Sequence, residues 1–113
     1  MDKPPPIHTE TLELIDWTLR RTADLPKSQR FTFGQRIDGL SLDAIELLTR
    51  ARFSQASERG AYLDALNLKL ELLRVLWRIV QKRGWISSRQ LIHVIGRIDT
   101  IGKMAGAWRR KAG

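Results

Sequence analysis

Apolar residues recur along most of this chain at alternating intervals of three and four, which is the spacing of amphipathic α-helices. The spacing predicts four helices, at about 9–24, 29–57, 61–83 and 88–110. Pro26 ends the first helix, because the residue before a proline is pushed out of the α region. No run of alternating β-branched residues predicts a strand. The predicted fold class is therefore all-α, an up-down antiparallel four-helix bundle.

Each predicted helix has one apolar stripe that is expected to face the core of the bundle. In chain order, the stripes are Leu12, Ile15, Leu19 and Ala23; Phe33, Ile37, Leu40, Ala44, Leu47 and Ala51; Leu63, Leu66, Leu70, Leu73, Trp77 and Val80; and Leu91, Ile95, Ile98, Gly102 and Ala105. Further apolar residues, among them Leu14, Val94 and Ile101, widen the stripes of the first and last helices. Packed together, the four stripes would bury one continuous core.

The connections between the helices carry local signals of their own. The stretch "PKSQRFTFGQRI", residues 26–37, is predicted to be a tight connection followed by the start of the second helix, with Ser28 as its N-cap. Gly84 is expected to end the third helix in a C′ position. Ser87 and Gln90 have the spacing of a capping box, which predicts the start of the fourth helix.

The composition is that of one ordinary globular domain. The chain has 113 residues, of which 42% are apolar and 28% charged, and it has no cysteine. The lack of cysteine excludes disulfides and thiolate metal sites and fits a reducing compartment. With neither a signal-like leader nor a membrane-spanning run, a cytoplasmic location without membrane association is expected. Residues 1–8 are predicted to be a flexible Pro-rich N-terminus, 9–110 the bundle and 111–113 a basic C-terminal tail.

Positive charge is concentrated late in the chain. The net charge is +8, and residues 69–113 carry 11 Lys/Arg against 2 Asp/Glu, whereas residues 1–68 carry 9 against 10. A basic surface so poor in acids predicts a polyanionic partner, most often nucleic acid, since a merely solvated face usually mixes both signs. The candidate binding residues follow the third and fourth helices in four-residue steps and continue to the C-terminus: Arg74, Arg78, Lys82, Arg89, His93, Arg97, Lys103, Arg109 and Arg110. The rows on these two helices are expected to form one surface that binds phosphates without reading sequence.

The sequence offers little for catalysis or metal binding. His93 has Arg89 and Arg97 at helical spacing, so cations rather than metal ligands flank it. Several carboxylates have a cation three or four residues away, as surface ion pairs do; these pairs are Asp16–Arg20, Glu46–Arg50, Glu71–Arg74 and Asp99–Lys103. No glycine-rich phosphate motif is present. We therefore expect no enzymatic activity, no bound metal and no cofactor.

The aromatic residues are expected to serve packing. Trp77 lies on the core stripe of the third helix, while Trp17 and Trp108 lie on the flanks of their stripes. These positions predict core or bundle-edge packing, with a subunit interface as the alternative, because tryptophan is enriched there. Aromatic residues and cations do not interleave in the pattern of a base-stacking surface.

Three segments of the chain resemble one protein family. The segments "LLTRARFSQ" (47–55), "ALNLKLELLRVLWRIVQKRGWIS" (65–87) and "IDTIGKMAGAWRR" (98–110) look like the accessory variability determinant (Avd) branch found in diversity-generating retroelements. That branch falls within a four-helix-bundle family that includes proteins encoded by intervening sequences of bacterial 23S ribosomal RNA genes. The segment 26–37 resembles the connection between the first two helices of that family, and the likeness covers about residues 8–110.

The resemblance implies a function that the residue spacing does not show. Proteins of the Avd branch form a basic homopentameric barrel of four-helix bundles and have no catalytic centre. They bind the reverse transcriptase of the retroelement and nucleic acid, and they are needed for adenine-directed mutagenic copying of template-repeat RNA into cDNA. By position, Arg74 and Arg78 fall on the helix whose basic residues serve partner binding in that family.

Other interpretations remain open at this point. An intervening-sequence-type bundle protein would contact ribosomal RNA, and an adaptor would contact an acidic protein partner through the same basic face. A metal-dependent or hydrolytic enzyme is a more distant alternative. Binding of random RNA or DNA that weakens with salt would separate the first interpretation from the second.

Overall fold

Four α-helices hold most of the residues that the structure, a computed structural model, describes, namely residues 5–112. The helices are α1 (Pro6–Thr22), α2 (Gln35–Phe53), α3 (Ala56–Lys82) and α4 (Ser88–Ala112), and this part of the chain contains no strand. Both α1 and α3 pack against α2 and α4, so α1 and α3 lie on a diagonal of the bundle. The predicted all-α four-helix bundle is thus confirmed. None of the described helices is long and apolar enough to cross a membrane.

The stripes predicted for the two central helices in the sequence form most of the core. The α3 stripe is confirmed, since all six of its residues are fully buried: Leu63, Leu66, Leu70, Leu73, Trp77 and Val80. In α2 the predicted stripe is also largely buried, but Leu48 takes the core position in place of the half-buried Leu47. The heptad spacing of α3 therefore describes its packing directly.

The stripe predicted for α1 is wrong in part. Leu12 and Leu19 are 50% and 43% exposed. The buried residues of this helix are Ile7, Thr11, Leu14, Ile15, Thr18 and Thr22. A threonine can occupy a buried position of a helix because its hydroxyl can bond within that helix. Thr11 Oγ1 does so by donating to the carbonyl of Ile7 at 2.8 Å. A pattern made of aliphatic residues alone therefore selects the wrong face.

The last helix is turned about its axis relative to the prediction. Leu91, Ile95 and Gly102 are only half buried. The fully buried apolar residues of α4 are Val94, Ile98, Ile101 and Ala105. Two residues that the sequence assigned to the flank, Val94 and Ile101, thus belong to the core.

The connection between α1 and α2 differs from the capped helix start that the sequence predicted. It consists of a 3₁₀ turn (Lys27–Gln29) and a π-helical turn (Arg30–Gly34) that runs directly into α2. The first turn of α2 has no side-chain cap, so the role predicted for Ser28 is wrong. Leu25, which is 1% exposed, anchors the connection in the core.

The boundary between α2 and α3 lies earlier than predicted. The sequence placed the end of the second helix near Ser57, but the chain breaks at Ser54, where ψ is 165°. The guanidinium of Arg59 holds this corner, because its Nε donates to the carbonyl of Ala51 at 2.9 Å and its Nη2 to the carbonyl of Ser54 at 3.1 Å. A cation from α3 thereby satisfies carbonyls that the end of α2 leaves unpaired.

Both signals predicted for the connection between α3 and α4 are confirmed. Gly84 has a positive φ of 78°, and the Trp85 N–H donates back to the carbonyl of Val80 at 3.0 Å. This is the hydrogen bond that spans a Schellman C-terminus. Ser87 and Gln90 form a reciprocal capping box, with bonds of 2.8 and 3.0 Å between each backbone N–H and the side chain of the other residue.

The ends of the chain also differ from the expected division. α1 begins at Pro6 rather than near Thr9, and α4 continues through Ala112. Within the described residues, part of the expected flexible N-terminus and of the expected tail is therefore helical. Residues 1–4 and 113 lie outside the described residues, and there the division stays a prediction.

Candidate nucleic-acid interface

Arg74 spans the interface between α3 and α4 and is neutralised there. Its Nε donates to Asp99 Oδ1 and its Nη1 to Glu71 Oε2, both at 2.9 Å, and its side chain is only 20% exposed. Gly102 makes room for the guanidinium, because a Cβ at that position would lie 3.3 Å from Arg74 Nη2. The sequence predicted that Asp99 pairs with Lys103. It pairs instead with Arg74 across the interface.

Arg109 repeats this arrangement in the opposite direction. Its guanidinium lies against Gly60 of α3, and its Nε donates to Asp64 Oδ1 at 3.1 Å. A Cβ at Gly60 would collide with that guanidinium. One arginine from each helix thus crosses to a glycine and a carboxylate of the other, and both arginines serve to join α3 to α4.

Arg97 is paired on the other side of α4. Its Nη1 lies 2.6 Å from Glu13 Oε2 and 3.4 Å from Glu10 Oε2, both on α1. Its Nε donates to Nε2 of His93 at 3.4 Å, and the imidazole of His93 in turn lies 5.5 Å from the ring of Trp17. This row therefore follows the groove between α1 and α4.

The two predicted rows consequently do not form one surface. Arg97 faces α1, whereas Asp99, two residues later, faces α3 and holds Arg74. Two residues correspond to about 200° of rotation around an α-helix, so these side chains leave α4 in nearly opposite directions. The expectation of a single shared surface is wrong, and the part that Arg74, Arg97 and Arg109 take in binding stays a prediction.

The other predicted cations remain available to a partner. They are exposed and have no carboxylate within ion-pair distance in residues 5–112; they are Arg78, Lys82, Arg89, Lys103 and Arg110. The local pairs Asp16–Arg20 and Glu46–Arg50 are confirmed at 2.9 and 3.2 Å. Hydrogen bonding to Glu46 raises the pKa of Arg50.

One end of the bundle gathers further cations that the sequence did not single out. The rings of Phe33 and Trp85 pack edge to face at 5.6 Å, which brings the α1–α2 and α3–α4 connections together. Residues 20–38 and 78–93 supply this end with 9 Lys/Arg against 2 Asp/Glu, a net charge of +7. Because the first of these ranges belongs to the nearly neutral part of the chain, counting charge along the sequence concealed it. We call this region the basic end.

Residues 5–112 contain no cluster of three or more His, Cys, Asp or Glu side chains that could hold a metal ion. The exposed guanidinium and ammonium groups of the described surface can bind anions.

A comparison with protein families supports the resemblance noted in the sequence. A family model described as bAvd-like matches residues 7–112, nearly the whole chain. The chain belongs to the bAvd-like family. No curated protein matches its sequence significantly.

The bAvd-like chain also exposes apolar residues along the outer side of α3. Leu68 is 61% exposed, Val75 44% and Ile79 37%, and Leu72 between them is half buried. These four residues recur at intervals of four, three and four, so they form a second heptad stripe on the face of α3 opposite the buried one. We call it the outer stripe of α3.

Arg74→Ala is expected to destabilise this bAvd-like protein by about 1 kcal/mol, because it leaves Asp99 and Glu71 without their shared cation. Arg78→Ala is the matched control in the next turn of the same helix, and its effect is expected to stay within about 0.5 kcal/mol. Urea unfolding followed by circular dichroism measures both. Equal effects of the two substitutions would show that the bridge to Asp99 does not stabilise the bundle.

Proposed function

We propose that this bAvd-like protein is a non-catalytic accessory protein of a diversity-generating retroelement. It binds the reverse transcriptase of the element and its template RNA or cDNA, and it thereby supports mutagenic reverse transcription. Membership of the bAvd-like family supports the class of protein. The observation that carries the binding function is the set of exposed cations that have no ion pair in residues 5–112.

Binding of the nucleic acid is electrostatic in this proposal. Exposed guanidinium and ammonium groups neutralise phosphates and release the counterions that had condensed on them. Arg78, Lys82 and Arg89 contribute to the basic end, and Lys103 and Arg110 lie further along α4. Contacts of this kind position a strand without selecting its sequence, which suits a protein that accompanies a template through copying.

The protein is also proposed to assemble with copies of itself. The outer stripe of α3 is the surface that a second copy covers, because single-chain proteins seldom expose a long row of large apolar residues. The complementary surface is the outer side of α1, where Leu12 is 50% and Leu19 43% exposed.

These two surfaces belong to diagonally opposed helices, which determines the kind of assembly. When one patch binds a different patch on the next copy, the contact is heterologous, and the copies form a ring where the rotation between them closes and an open filament where it does not. The homopentamer implied by the resemblance is such a ring. In it every copy adds its cations to one particle, which strengthens binding to a long strand by multivalency.

Replacing Arg78 and Lys82 with alanine is expected to weaken binding of single-stranded RNA on the order of tenfold near physiological salt. Two lost phosphate contacts should also reduce the slope of log affinity against log salt by about 1.4, since each contact to a single strand contributes about 0.7. Fluorescence anisotropy at several salt concentrations measures both quantities. Capture of the reverse transcriptase by the tagged protein measures the second binding function.

The matched control is Arg50→Ala with Arg52→Ala, which removes the same charge from α2, away from the basic end. An equal loss with this control would show that net charge alone, and not the proposed surface, governs binding. If the wild-type protein captures no reverse transcriptase at low salt, the accessory role is wrong, whether or not it binds RNA.

A further inference from the structure

We propose that the basic end binds a single-stranded nucleic acid with one base stacked on Phe31. The proposal rests on the proposed nucleic-acid binding and assigns it to a site and a form of nucleic acid. It combines two observations at the same end of the bundle, an aromatic ring open to solvent and exposed cations that form no ion pair in residues 5–112. Stacking was not predicted from the sequence, because aromatic residues and cations do not interleave there in the pattern of a base-stacking surface.

Phe31 is the most exposed of the large apolar side chains, at 81%. It belongs to the π-helical turn Arg30–Gly34, whose other aromatic residue, Phe33, packs against Trp85 at 5.6 Å. The Phe33–Trp85 contact fixes the turn on the body of the bundle, so the neighbouring ring is held in place without being buried. A phenylalanine so exposed contributes little to the stability of this chain, which leaves contact with a partner as its use.

The cations that share this end of the bundle with Phe31 come from three parts of the chain. Lys27, Arg30 and Arg36 lie in the same connection or at the start of α2, and all three are exposed. Arg83, whose guanidinium is 5.9 Å from the ring of Trp85, brings positive charge from the α3–α4 connection. None of these four forms an ion pair with a carboxylate of residues 5–112.

Two carboxylates share this end and reduce its charge only in part. Asp38 is engaged by Thr22, whose Oγ1 donates to it at 2.6 Å. Asp24 is exposed and lies just after α1. Against the 9 cations of the basic end these two acids leave the net charge at +7, and one of the nine, Arg20, is paired with Asp16 of α1. The surface therefore remains strongly attractive to phosphates.

An exposed ring beside phosphate-binding groups favours a single strand over the other polyanions. In a duplex the faces of the bases are stacked on each other and are closed to a protein side chain, whereas a single strand offers every base. An acidic protein would match the cations but would make no particular use of a planar ring. Base–aromatic stacking needs no sequence preference, which agrees with binding through phosphates.

Phe31→Ala is expected to weaken binding of an oligothymidylate of about ten nucleotides on the order of tenfold, which is the contribution of one stacked base. The same substitution should leave binding of an abasic oligomer of equal length unchanged, because that oligomer keeps the phosphates and lacks the bases. Phe31→Trp, which retains a stacking face, should bind oligothymidylate at least as tightly as the wild type. Titrations followed by fluorescence anisotropy measure all of these affinities.

Phe53→Ala is the matched control, since Phe53 is 76% exposed and ends α2 at the opposite end of the bundle. It should change none of the affinities. Circular dichroism melting of each variant confirms that the bundle is intact, as expected for side chains outside the core.

Three results would overturn the proposal. They are equal binding of oligothymidylate by Phe31→Ala and the wild type, an equal weakening of both oligomers by the substitution, and competition by a duplex as effective as that by the single strand. In each of these cases the protein still binds nucleic acid, so the proposed function stands and only the stacking site is wrong. Failure of the wild-type protein to bind either oligomer, together with capture of an acidic protein, would instead contradict nucleic-acid binding itself.

Discussion

Replacing Leu68 and Val75 with aspartate is expected to dissociate the proposed assembly of several copies into single chains. Each of these side chains stabilises a contact by about 1.5–3 kcal/mol when it becomes buried. Aspartate would lose that contribution and would place a carboxylate in an apolar interface, where an unpaired charge is strongly unfavourable. Neither residue belongs to the core of the bundle, so the helices should persist. Light scattering at low and high salt gives the mass.

A control variant adds the same charge elsewhere. Thr49→Asp with Thr100→Asp changes two exposed polar positions of α2 and α4 and should keep the mass of the wild type. If the wild-type protein is itself a single chain at every concentration, the proposed assembly is wrong.

A further experiment distinguishes the proposed contact between α1 and α3 from a symmetric dimer in which the α3 stripes pair with each other. A second variant, Leu12→Asp with Leu19→Asp, damages the outer side of α1 and should also be a single chain. Mixing the two damaged variants should give heterodimers, because the α1 surface of the first and the α3 stripe of the second are both intact. If the stripe of α3 paired with itself, the mixture would contain no heterodimer.

Trp77→Ala is expected to remove about 3–5 kcal/mol from the free energy of unfolding, which is a large part of the 5–15 kcal/mol typical of a domain. Trp77 is fully buried, and its ring meets Trp17 edge to face at 5.3 Å, so alanine would leave a cavity and break that contact. Urea unfolding measures the change. The substitution is best made in the chain that carries Leu68→Asp and Val75→Asp, because association would otherwise add to the stability.

Trp77→Phe provides the sharper comparison. The indole Nε1 of Trp77 is buried and has no hydrogen-bond partner among the described residues. Phenylalanine keeps most of the apolar contact and removes that unpaired donor, whose burial costs about 1–3 kcal/mol. The loss is therefore expected to be far smaller than with alanine. Equal losses from the two substitutions would mean that the indole N–H does find a partner in solution.

The sequence predicts the fold where apolar residues alone decide the packing. Both sides of α3 are apolar at heptad spacing, and the stripe that contains Trp77 is the buried one, as predicted. The prediction failed for α1 because Thr11 and Thr18 occupy core positions that a pattern of aliphatic residues leaves out. A threonine that bonds to its own helix, as Thr11 does, behaves like a small apolar residue, and spacing alone does not show when this happens. The hydroxyl of Thr18 is buried without a hydrogen-bond partner among the described residues.

The available cations of the candidate site could not be predicted from the sequence, because ion pairs join residues that are far apart along the chain. The ion pairs of Arg74 with Asp99, and of Arg97 with Glu13, join residues that are 25 and 84 positions apart. Only the pairs within one turn of a helix, such as Asp16 with Arg20, are visible in the sequence. For the same reason the basic end emerged only when the fold brought Phe33 to Trp85.

The meeting of both connections at one end gives the proposed ring two unlike sides. Helices that pack along such stripes cross at only about 20°, so the long axes of neighbouring bundles run nearly parallel to the symmetry axis. Rotation about that axis cannot invert a copy, and every basic end must emerge on the same side. The particle is then more positive on that side than on the other. A strand drawn to its positive side leaves the other side, where α2 turns into α3, open to a protein partner at the same time.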